Sequence, residues 1–551
     1  MKRSKNLNLI GKAAMALAAA LFLLSFVIYR SHTHYDKGSS KSLQVVQTQD
    51  GLVSGIQTNT PGVLAFKGIP YAAAPVGDLR WRTPQPHQKW NGVLKADHFC
   101  ENCMQATHDE QANPPNVTRK SVWTKPFLIP KGQLSENCLY LNIWTAAKSS
   151  SERRPVIVWI HGGAFTSGSG SVPLYNGEAL AKKGVVFVTI NYRVGLFGFL
   201  ALPQLSRESS HHSSGNYGLL DQIAALKWVN KNIEAFGGDP NNVTIDGQSA
   251  GSFSVNYLVA SPLAKGLFER AIGESGASMV PNPIINVPNL QTAEQNGLAF
   301  MKKAKASTLA ELRGMPADSL QKIGGSFWPD IDGYVLPEKI DEIFSEGKQN
   351  DVPTLTGWNV DEGTAFSIYS KTLSASAFKA QIRKIYGDKA ASVLRYYPAT
   401  TDAEAAQSQY ALTRDYLFAT QNYTWANLQS KTGNSKVFLY TFDRKLPARG
   451  PYKFFGAFHS GEIAYALDNL KYLNRPWQPV DRKLADIMSS YWVNFARTGN
   501  PNGKGLPEWP VYKPQQGKDM ELGKRDGAQD IPNKAGMDFL IQYFTAGSNK
   551  P

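Results

Sequence analysis

Cysteine is scarce in this chain of 551 residues, and only one long apolar run is present. Three cysteines are too few for a disulfide scaffold, and they lack the spacing of a metal site. A single apolar run excludes a protein that crosses a membrane several times. Charged residues make up 19% of the chain and hydrophobic residues 42%. This balance excludes a disordered or fibrous chain and predicts a large globular core.

A dense arginine-rich stripe is also missing, although the net charge is +15. A nucleic-acid-binding surface needs clustered basic residues, so we expect no nucleic-acid partner. The scattered basic residues instead predict a solvated basic surface. That surface leaves attraction of anionic substrates or anionic lipids open.

The one long apolar run lies near the N-terminus and has the pattern of an export signal. Residues 1–12 carry four positive charges, and residues 13–29 are almost wholly apolar. This order predicts a signal peptide or an uncleaved signal-anchor in residues 1–30, which could attach the protein to a membrane through residues 13–29. Residues 31–42 read as a polar linker. We therefore expect residues 43–551 to form an exported domain that is periplasmic, secreted or anchored to the outer face of the membrane.

Short apolar runs alternate with helical patterns along this domain. Gly218–Ala235 has helical periodicity, and the runs that read as buried strands are Pro155–Ile160, Val185–Ile190, Val243–Ile245 and Val437–Tyr440. Such alternation predicts an α/β fold with a large, mostly parallel sheet flanked by helices on both faces. In such folds the active site collects at the carboxyl ends of the strands.

One G-x-S-x-G motif, Gly247–Gly251, places Ser249 between a strand-like segment and a helix start. A strand, a sharp turn and a helix form a nucleophile elbow, in which the glycines permit the tight turn. The serine then projects above the sheet with a helix N-terminus behind it, which favours developing negative charge. The context predicts Ser249 as a nucleophile.

Histidine is scarce after this serine. Of nine histidines, eight lie at or before His212, and only His459 follows Ser249. A serine hydroxyl needs a base, and in this kind of fold the chain order is serine, acid, histidine. His459 is therefore the predicted general base.

The acid and the oxyanion donors come from two further loops. Asp361 and Glu362 follow an apolar strand, and either could orient the imidazole; these residues alone leave both open. Gly162 and Gly163 directly follow the strand Pro155–Ile160. With the N–H group of Ala250 they predict an oxyanion hole of three backbone donors.

The three cysteines allow three pairings. Export permits disulfides. A bridge between Cys103 and Cys138 would close a loop of 35 positions, for which the chain-entropy model gives about 3–4 kcal/mol. Pairing of Cys100 with Cys138 stays an alternative.

Several motifs together resemble one family. From about residue 43 to about residue 545 the chain resembles the type-B carboxylesterases of the cholinesterase and carboxylesterase group, which have the α/β-hydrolase fold. The motifs that carry the resemblance include FKGIPYAAAPVGDLRW (66–81), SENCLYLNIW (135–144), HGGAF (161–165), FGGDPNNVTIDGQSAG (236–251), DEG (361–363) and FHSGEIAYAL (458–467).

The resemblance implies a carboxylic ester hydrolase that acts on small-molecule esters without a metal or cofactor. It implies Glu362, rather than Asp361, as the acid of a triad with Ser249 and His459, and the same three oxyanion donors. It also implies a disulfide between Cys103 and Cys138. Ser275 matches a serine that lies beside the catalytic acid in relatives.

Gln248 departs from the family pattern, because many relatives have glutamate before the nucleophile. In cholinesterases that glutamate supports a cationic alcohol group, so its absence weighs against choline esters. The principal hypothesis is an exported serine esterase that works through an acyl-enzyme. The alternatives are an esterase specialised for a polar or anionic ester, and a non-catalytic cholinesterase-like adhesion or binding protein.

Overall fold

The structure, a computed structural model, describes residues 43–107, 130–281, 286–367 and 372–548. The predicted export signal and linker, residues 1–42, lie outside these described residues. Both therefore stay predictions.

A large mixed sheet organises the described chain. Within the described residues it has eleven strands, of which a central block of seven is parallel and the strands at both edges are antiparallel. In spatial order from one edge the strands are Gly527–Asp530, Lys518–Leu522, Val437–Phe442, Thr354–Asn359, Arg270–Glu274, Gly238–Gln248, Arg154–Ile160, Val186–Ile190, Tyr140–Thr145, Leu64–Pro70 and Ile56–Gln57.

Two smaller sheets lie outside this large one. One contains Val45–Gln47, Leu52–Ser54 and Val93–Lys95, and the other pairs Asn102–Cys103 with Leu134–Ser135.

The central strands are buried on both faces. Along Arg154–Ile160, Val156 and Val158 pack into one hydrophobic cluster, whereas Ile157 and Trp159 pack into a second cluster. A strand that is covered on both sides reads as a continuous apolar run rather than as an alternating one. This burial explains why the run was recognisable in the sequence.

Helices cover both faces of the sheet. Residues of Tyr217–Asn232 and Ala250–Ala260 join the first cluster, and residues of Pro479–Thr498 join the second. The other α-helices of the described chain are Glu178–Lys182, Gly195–Phe199, Pro203–Glu208, Leu290–Lys303, Leu309–Gly314, Ala317–Ile323, Ile340–Ser345, Glu362–Phe366, Ala375–Tyr386, Ala390–Tyr396, Asp402–Arg414, Thr420–Thr432, Ile463–Ala466 and Lys534–Ser548. None of the helices in the described ranges has the length and apolar character that a membrane span requires.

This architecture confirms the predicted α/β fold, with differences at the ends of elements. The strand predicted at Val243–Ile245 extends over Gly238–Gln248, with an irregularity in its pairing between Gly238 and Val243. The α-helix predicted over Gly218–Ala235 ends at Asn232 and continues as a 3₁₀ turn, Ile233–Phe236. The first residues of this strand are mostly polar, so the apolar pattern of the sequence indicated only its later part.

Candidate active site

Ser249 occupies a sharp turn between the strand Gly238–Gln248 and the helix Ala250–Ala260. Its φ is 58° and its ψ is −125°, an unusual conformation for a residue with a side chain. A Cβ atom on Gly251 would overlap the carbonyl oxygen of Ile160, and one on Gly247 would lie 2.6 Å from the Gly251 carbonyl. The motif needs both glycines because the backbones pack this closely, and the turn exposes the serine at the carboxyl end of its strand.

The structure brings Ser249, His459 and Glu362 into one hydrogen-bonded line. Nε2 of His459 lies 2.8 Å from Oγ of Ser249, and Nδ1 lies 2.5 Å from Oε2 of Glu362. A carboxylate can only accept, so Nδ1–H donates to Glu362 and leaves Nε2 to accept from the serine hydroxyl. The other Glu362 oxygen accepts the backbone N–H of Asn359 at 2.9 Å, so both oxygens of this buried carboxylate are used.

Asp361, the alternative acid, points elsewhere. Its Oδ2 accepts the backbone N–H of Ala457 at 2.9 Å. Asp361 is also the residue that precedes the short helix Glu362–Phe366. The two neighbouring carboxyls thus have different partners, and only Glu362 contacts the imidazole of His459.

Two aromatic rings hold the imidazole of His459. Phe418 stacks on it with ring centroids 4.3 Å apart and an interplanar angle of 16°, and Phe366 lies 5.3 Å away. Phe418 belongs to a π-helical turn, Asp415–Ala419, that joins two α-helices. Such turns are rare and frequent at functional sites. Sequence reasoning missed both rings, since neither lies in a recognisable motif.

Gln248 links the nucleophile strand to the loop that carries His459. Its Oε1 accepts the Ser460 hydroxyl at 3.0 Å, and its Nε2 lies 3.5 Å from Nδ1 of His459. Glu462, three residues after His459, is also buried. Burial raises its pKa to about 8, and the charge of Glu362 contributes to this increase. Because the side chain of Gln248 is a neutral amide, it adds no charge beside the imidazole of His459.

Two more carboxyls are buried beneath the elbow. Burial raises the pKa of Asp246 to about 8, and burial together with the neighbouring Asp246 raises that of Glu274 well above its ordinary value. The indole N–H of Trp492 donates to Glu274 at 2.9 Å. No sequence motif marked these acids as a buried pair.

The predicted oxyanion segment lies against the nucleophile. A Cβ atom on Gly162 would be 3.1 Å from Cβ of Ser249, and one on Gly163, where φ is 116°, would overlap the backbone of Ser167. The Gly163 carbonyl accepts the N–H groups of Thr166 and Ser167, at 3.0 and 3.1 Å. Ala250 opens the helix directly after Ser249. Backbone packing therefore requires glycine at positions 162 and 163, two of the three predicted donor positions.

His161, next to these glycines, is a buried neutral residue. Its burial lowers the pKa of the imidazole to about 4. The ring stacks on Tyr192 at 4.3 Å, and Nδ1 lies 2.9 Å from the Gly162 carbonyl oxygen. This packing fixes the start of the oxyanion segment without placing a charge there.

Ser275 follows the strand Arg270–Glu274 with φ 58°. Its backbone N–H donates to the Gly357 carbonyl at 2.9 Å. Its hydroxyl is buried and has no hydrogen-bond partner among the residues that the structure describes. The role that the family resemblance suggests for this hydroxyl stays a prediction.

Cys103 and Cys138 form a disulfide, with Cα atoms 5.0 Å apart. Cys100 is a free, half-buried thiol, and burial raises its pKa to about 11. This pattern selects one of the three possible pairings. In the described part of the chain, no three His, Cys, Asp or Glu side chains are grouped as metal ligands.

The chain is similar to known proteins over most of its length. A profile of the Carboxylesterase family matches residues 42–540. The chain is 36% identical over 516 residues to a fumonisin B1 esterase of Sphingopyxis macrogoltabida, with 89% of each chain covered. It is 37% identical over 494 residues to a para-nitrobenzyl esterase of Bacillus subtilis (strain 168), covering 85% of this chain and 92% of the relative.

A third relative extends the comparison to animals. The chain is 33% identical over 534 residues to a liver carboxylesterase of Sus scrofa, covering 87% of this chain and 89% of the relative. The fold, the family match and these relatives lead to one conclusion. The chain belongs to the carboxylesterase family and is a carboxylic ester hydrolase.

Proposed function

We propose that this esterase works through an acyl-enzyme on Ser249, with His459 as general base and acid and Glu362 as the carboxylate that orients it. The observation that carries the proposal is the unbroken pair of hydrogen bonds, 2.8 Å from Ser249 to His459 and 2.5 Å from His459 to Glu362. This is the arrangement that activates a serine hydroxyl.

In the first half-reaction, Oγ of Ser249 attacks the ester carbonyl carbon while Nε2 of His459 takes the hydroxyl proton. The carbonyl oxygen becomes an oxyanion that accepts hydrogen bonds from the N–H groups of Gly162, Gly163 and Ala250. The bond to the alcohol oxygen then breaks, and His459 gives its proton to the departing alcohol.

The second half-reaction uses water in place of the alcohol. His459 takes a proton from the water as its oxygen attacks the acyl carbon. Collapse of the second tetrahedral intermediate breaks the bond to Ser249, which regains its proton from His459. The products are the free acid and the free alcohol, and the enzyme returns to its starting state.

Small-molecule esters are the substrate class we propose. The relatives include a fumonisin B1 esterase and a para-nitrobenzyl esterase. These relatives support ester hydrolysis by this chain, and the lining of its own pocket determines which ester it prefers.

The test uses the full chain and p-nitrophenyl esters from acetate to laurate. Ser249→Ala should lower kcat/KM by roughly ten-thousandfold or more, because loss of a serine nucleophile leaves only binding and oxyanion stabilisation. An organophosphate should label the original protein once, at Ser249. Unchanged turnover in Ser249→Ala, or labelling at another residue, would overturn the triad. Failure of a folded protein both to hydrolyse and to label would favour a non-catalytic binding protein.

We also propose that the enzyme is exported. The basic residues 1–12 followed by the apolar residues 13–29 support this, as does the Cys103–Cys138 disulfide, which suits an oxidising compartment. A fusion of residues 1–42 to a reporter that is active only after export should be active. An inactive fusion that remains in the cytoplasm would refute the proposal. If the fusion is active, its release from the cell would indicate secretion, and its retention in the membrane would indicate anchoring.

A further inference from the structure

A cavity of about 610 Å³ lies beside the helix that begins directly after Ser249. This size falls within the usual range for small-molecule sites. Phe253 and Tyr257 of that helix line the cavity; they are one helical turn apart, so they cover roughly 6 Å along its wall. The remaining aromatic side chains of the lining are Phe199, Phe300, Phe327 and Trp328.

The cavity wall is continuous with the oxyanion segment. Phe165, which belongs to the HGGAF motif, packs on Phe199 at 5.3 Å and on Trp328 at 5.5 Å between ring centroids. On the nucleophile side, a Cβ atom on Gly276 would touch both the Ser249 carbonyl oxygen and the Phe253 ring. The cavity wall therefore packs against the HGGAF segment on one side and, by way of Gly276, approaches the backbone of Ser249 on the other.

This position assigns the cavity to the acid arm of the ester. The alcohol must leave beside His459, because the imidazole returns a proton to it. The rings that contact His459 are Phe366 and Phe418, and neither lines the cavity. The acyl group extends from the same carbon in another direction, toward the cavity wall that includes Phe253.

The charge at the rim suggests which acids fit. Lys303, the last residue of the helix Leu290–Lys303, is exposed, and it is the one charged side chain among the described residues that line the cavity. No ion pair between Lys303 and a carboxylate occurs in the described part of the chain. The rim also carries the polar side chains Asn286, Thr292, Asn296 and Ser326.

We propose that this cavity selects esters whose acid carries a second, ionised carboxylate. The aromatic wall holds the methylene chain of the acyl group, and Lys303 at the rim pairs with the terminal carboxylate. The substrates are thus half-esters of dicarboxylic acids. The inference rests on the proposed acyl-enzyme at Ser249 and names the substrate class of that same site.

The test compares two esters of one length with the full chain. The mono-p-nitrophenyl ester of suberic acid carries the terminal carboxylate, and its methyl ester is neutral. The anionic ester should have the higher kcat/KM, and its advantage should shrink at high salt because exposed ion pairs are screened. Lys303→Gln should reduce the anionic-to-neutral ratio about two- to fivefold, the modest effect expected of an exposed pair, chiefly through a higher KM for the anionic ester.

Lys302→Gln is the matched control. Lys302 is the neighbouring lysine on the same helix, is also exposed and does not line the cavity. The ratio should stay at its original value in this variant. Equal losses in both variants would show a general effect of the basic surface and would overturn the role of the cavity.

A second variant tests whether the acyl arm occupies the cavity. Ala299 lines it from the exposed side of the same helix, so Ala299→Trp should lower turnover of p-nitrophenyl octanoate more than that of p-nitrophenyl acetate. An equal effect on both esters would overturn the assignment. If the original protein hydrolyses neutral esters without preferring the anionic one, this inference fails and the esterase mechanism stands. Without hydrolysis or organophosphate labelling, both fail.

Discussion

The neighbouring carboxyls Asp361 and Glu362 allow a sharp test of the triad. Glu362 accepts Nδ1–H of His459 at 2.5 Å, whereas Asp361 accepts a backbone N–H from Ala457. In the proposed mechanism the imidazole of His459 becomes positively charged when it takes the serine proton. A carboxylate beside it therefore stabilises the transition state more than the ground state.

The size of the effect follows from this geometry. For charges about 4 Å apart and an effective dielectric constant of about 20, the interaction is about 4 kcal/mol. With about 1.4 kcal/mol for each factor of ten, Glu362→Gln should lower kcat/KM roughly a thousandfold. Asp361→Asn keeps an oxygen that can accept the Ala457 N–H, and it removes no charge that contacts the imidazole. We therefore expect kcat/KM to fall by less than about tenfold.

The assay is the hydrolysis of p-nitrophenyl butyrate by both variants at one pH, with thermal unfolding to show that each is folded. Two folded proteins with very different rates are the expected result. A loss in Asp361→Asn that equals or exceeds that in Glu362→Gln would refute the assignment of the acid. Near-normal activity of Glu362→Gln would refute the electrostatic argument itself.

Three further predictions concern stability. Gly251→Ala should lower the unfolding temperature and the activity together, since the new methyl group would overlap the Ile160 carbonyl. Replacing Cys103 and Cys138 by serine should lower the free energy of unfolding in urea by about 2–5 kcal/mol. Burial raises the pKa of Asp246 to about 8, from about 4 in an unfolded chain. The folded protein therefore holds a proton that the unfolded chain releases, and the free energy of unfolding falls as pH rises between these values. Asp246→Asn should flatten that fall in urea titrations at pH 5.5 and 8.5.

Each of these predictions has an internal control. Gly266→Ala places a methyl group in open space, and although its positive φ carries some strain, it should cost less than Gly251→Ala; equal costs would contradict the packing argument. Cys100→Ser should leave stability nearly unchanged, because this thiol is free. A fall with pH that is as steep in Asp246→Asn as in the original protein would assign the titration to other groups.

The local part of the candidate site could be predicted from the sequence. Ser249 was marked by glycines that a tight turn requires, and His459 was the one histidine in the right place along the chain. Asp361 and Glu362 follow the same strand, so their spacing could not separate them. The backbone turn at the start of the short helix Glu362–Phe366 decides which carboxyl meets the imidazole, and that turn has no local signature.

The parts that sequence reasoning missed come from contacts between distant segments. Phe418 reaches His459 from a π-helical turn within a long helical region, and the wall of the cavity combines five separate stretches of chain. Apolar residues at such positions look like ordinary core residues in the sequence. Only the packing of the elements brings Phe418 onto His459 and assembles the wall of the cavity.

Gln248 explains why one carboxylate can dominate this site. Four acids are buried around the elbow, and burial raises the pKa values of Asp246, Glu274 and Glu462, which favours their neutral forms near pH 7. Gln248 contacts Ser460 and lies beside His459 without adding a charge. A glutamate there would place a second negative charge about as close to Nδ1 as a salt bridge. With the amide, the charge that faces the imidazole is that of Glu362, and for this reason removing it alone should cost about three orders of magnitude in rate.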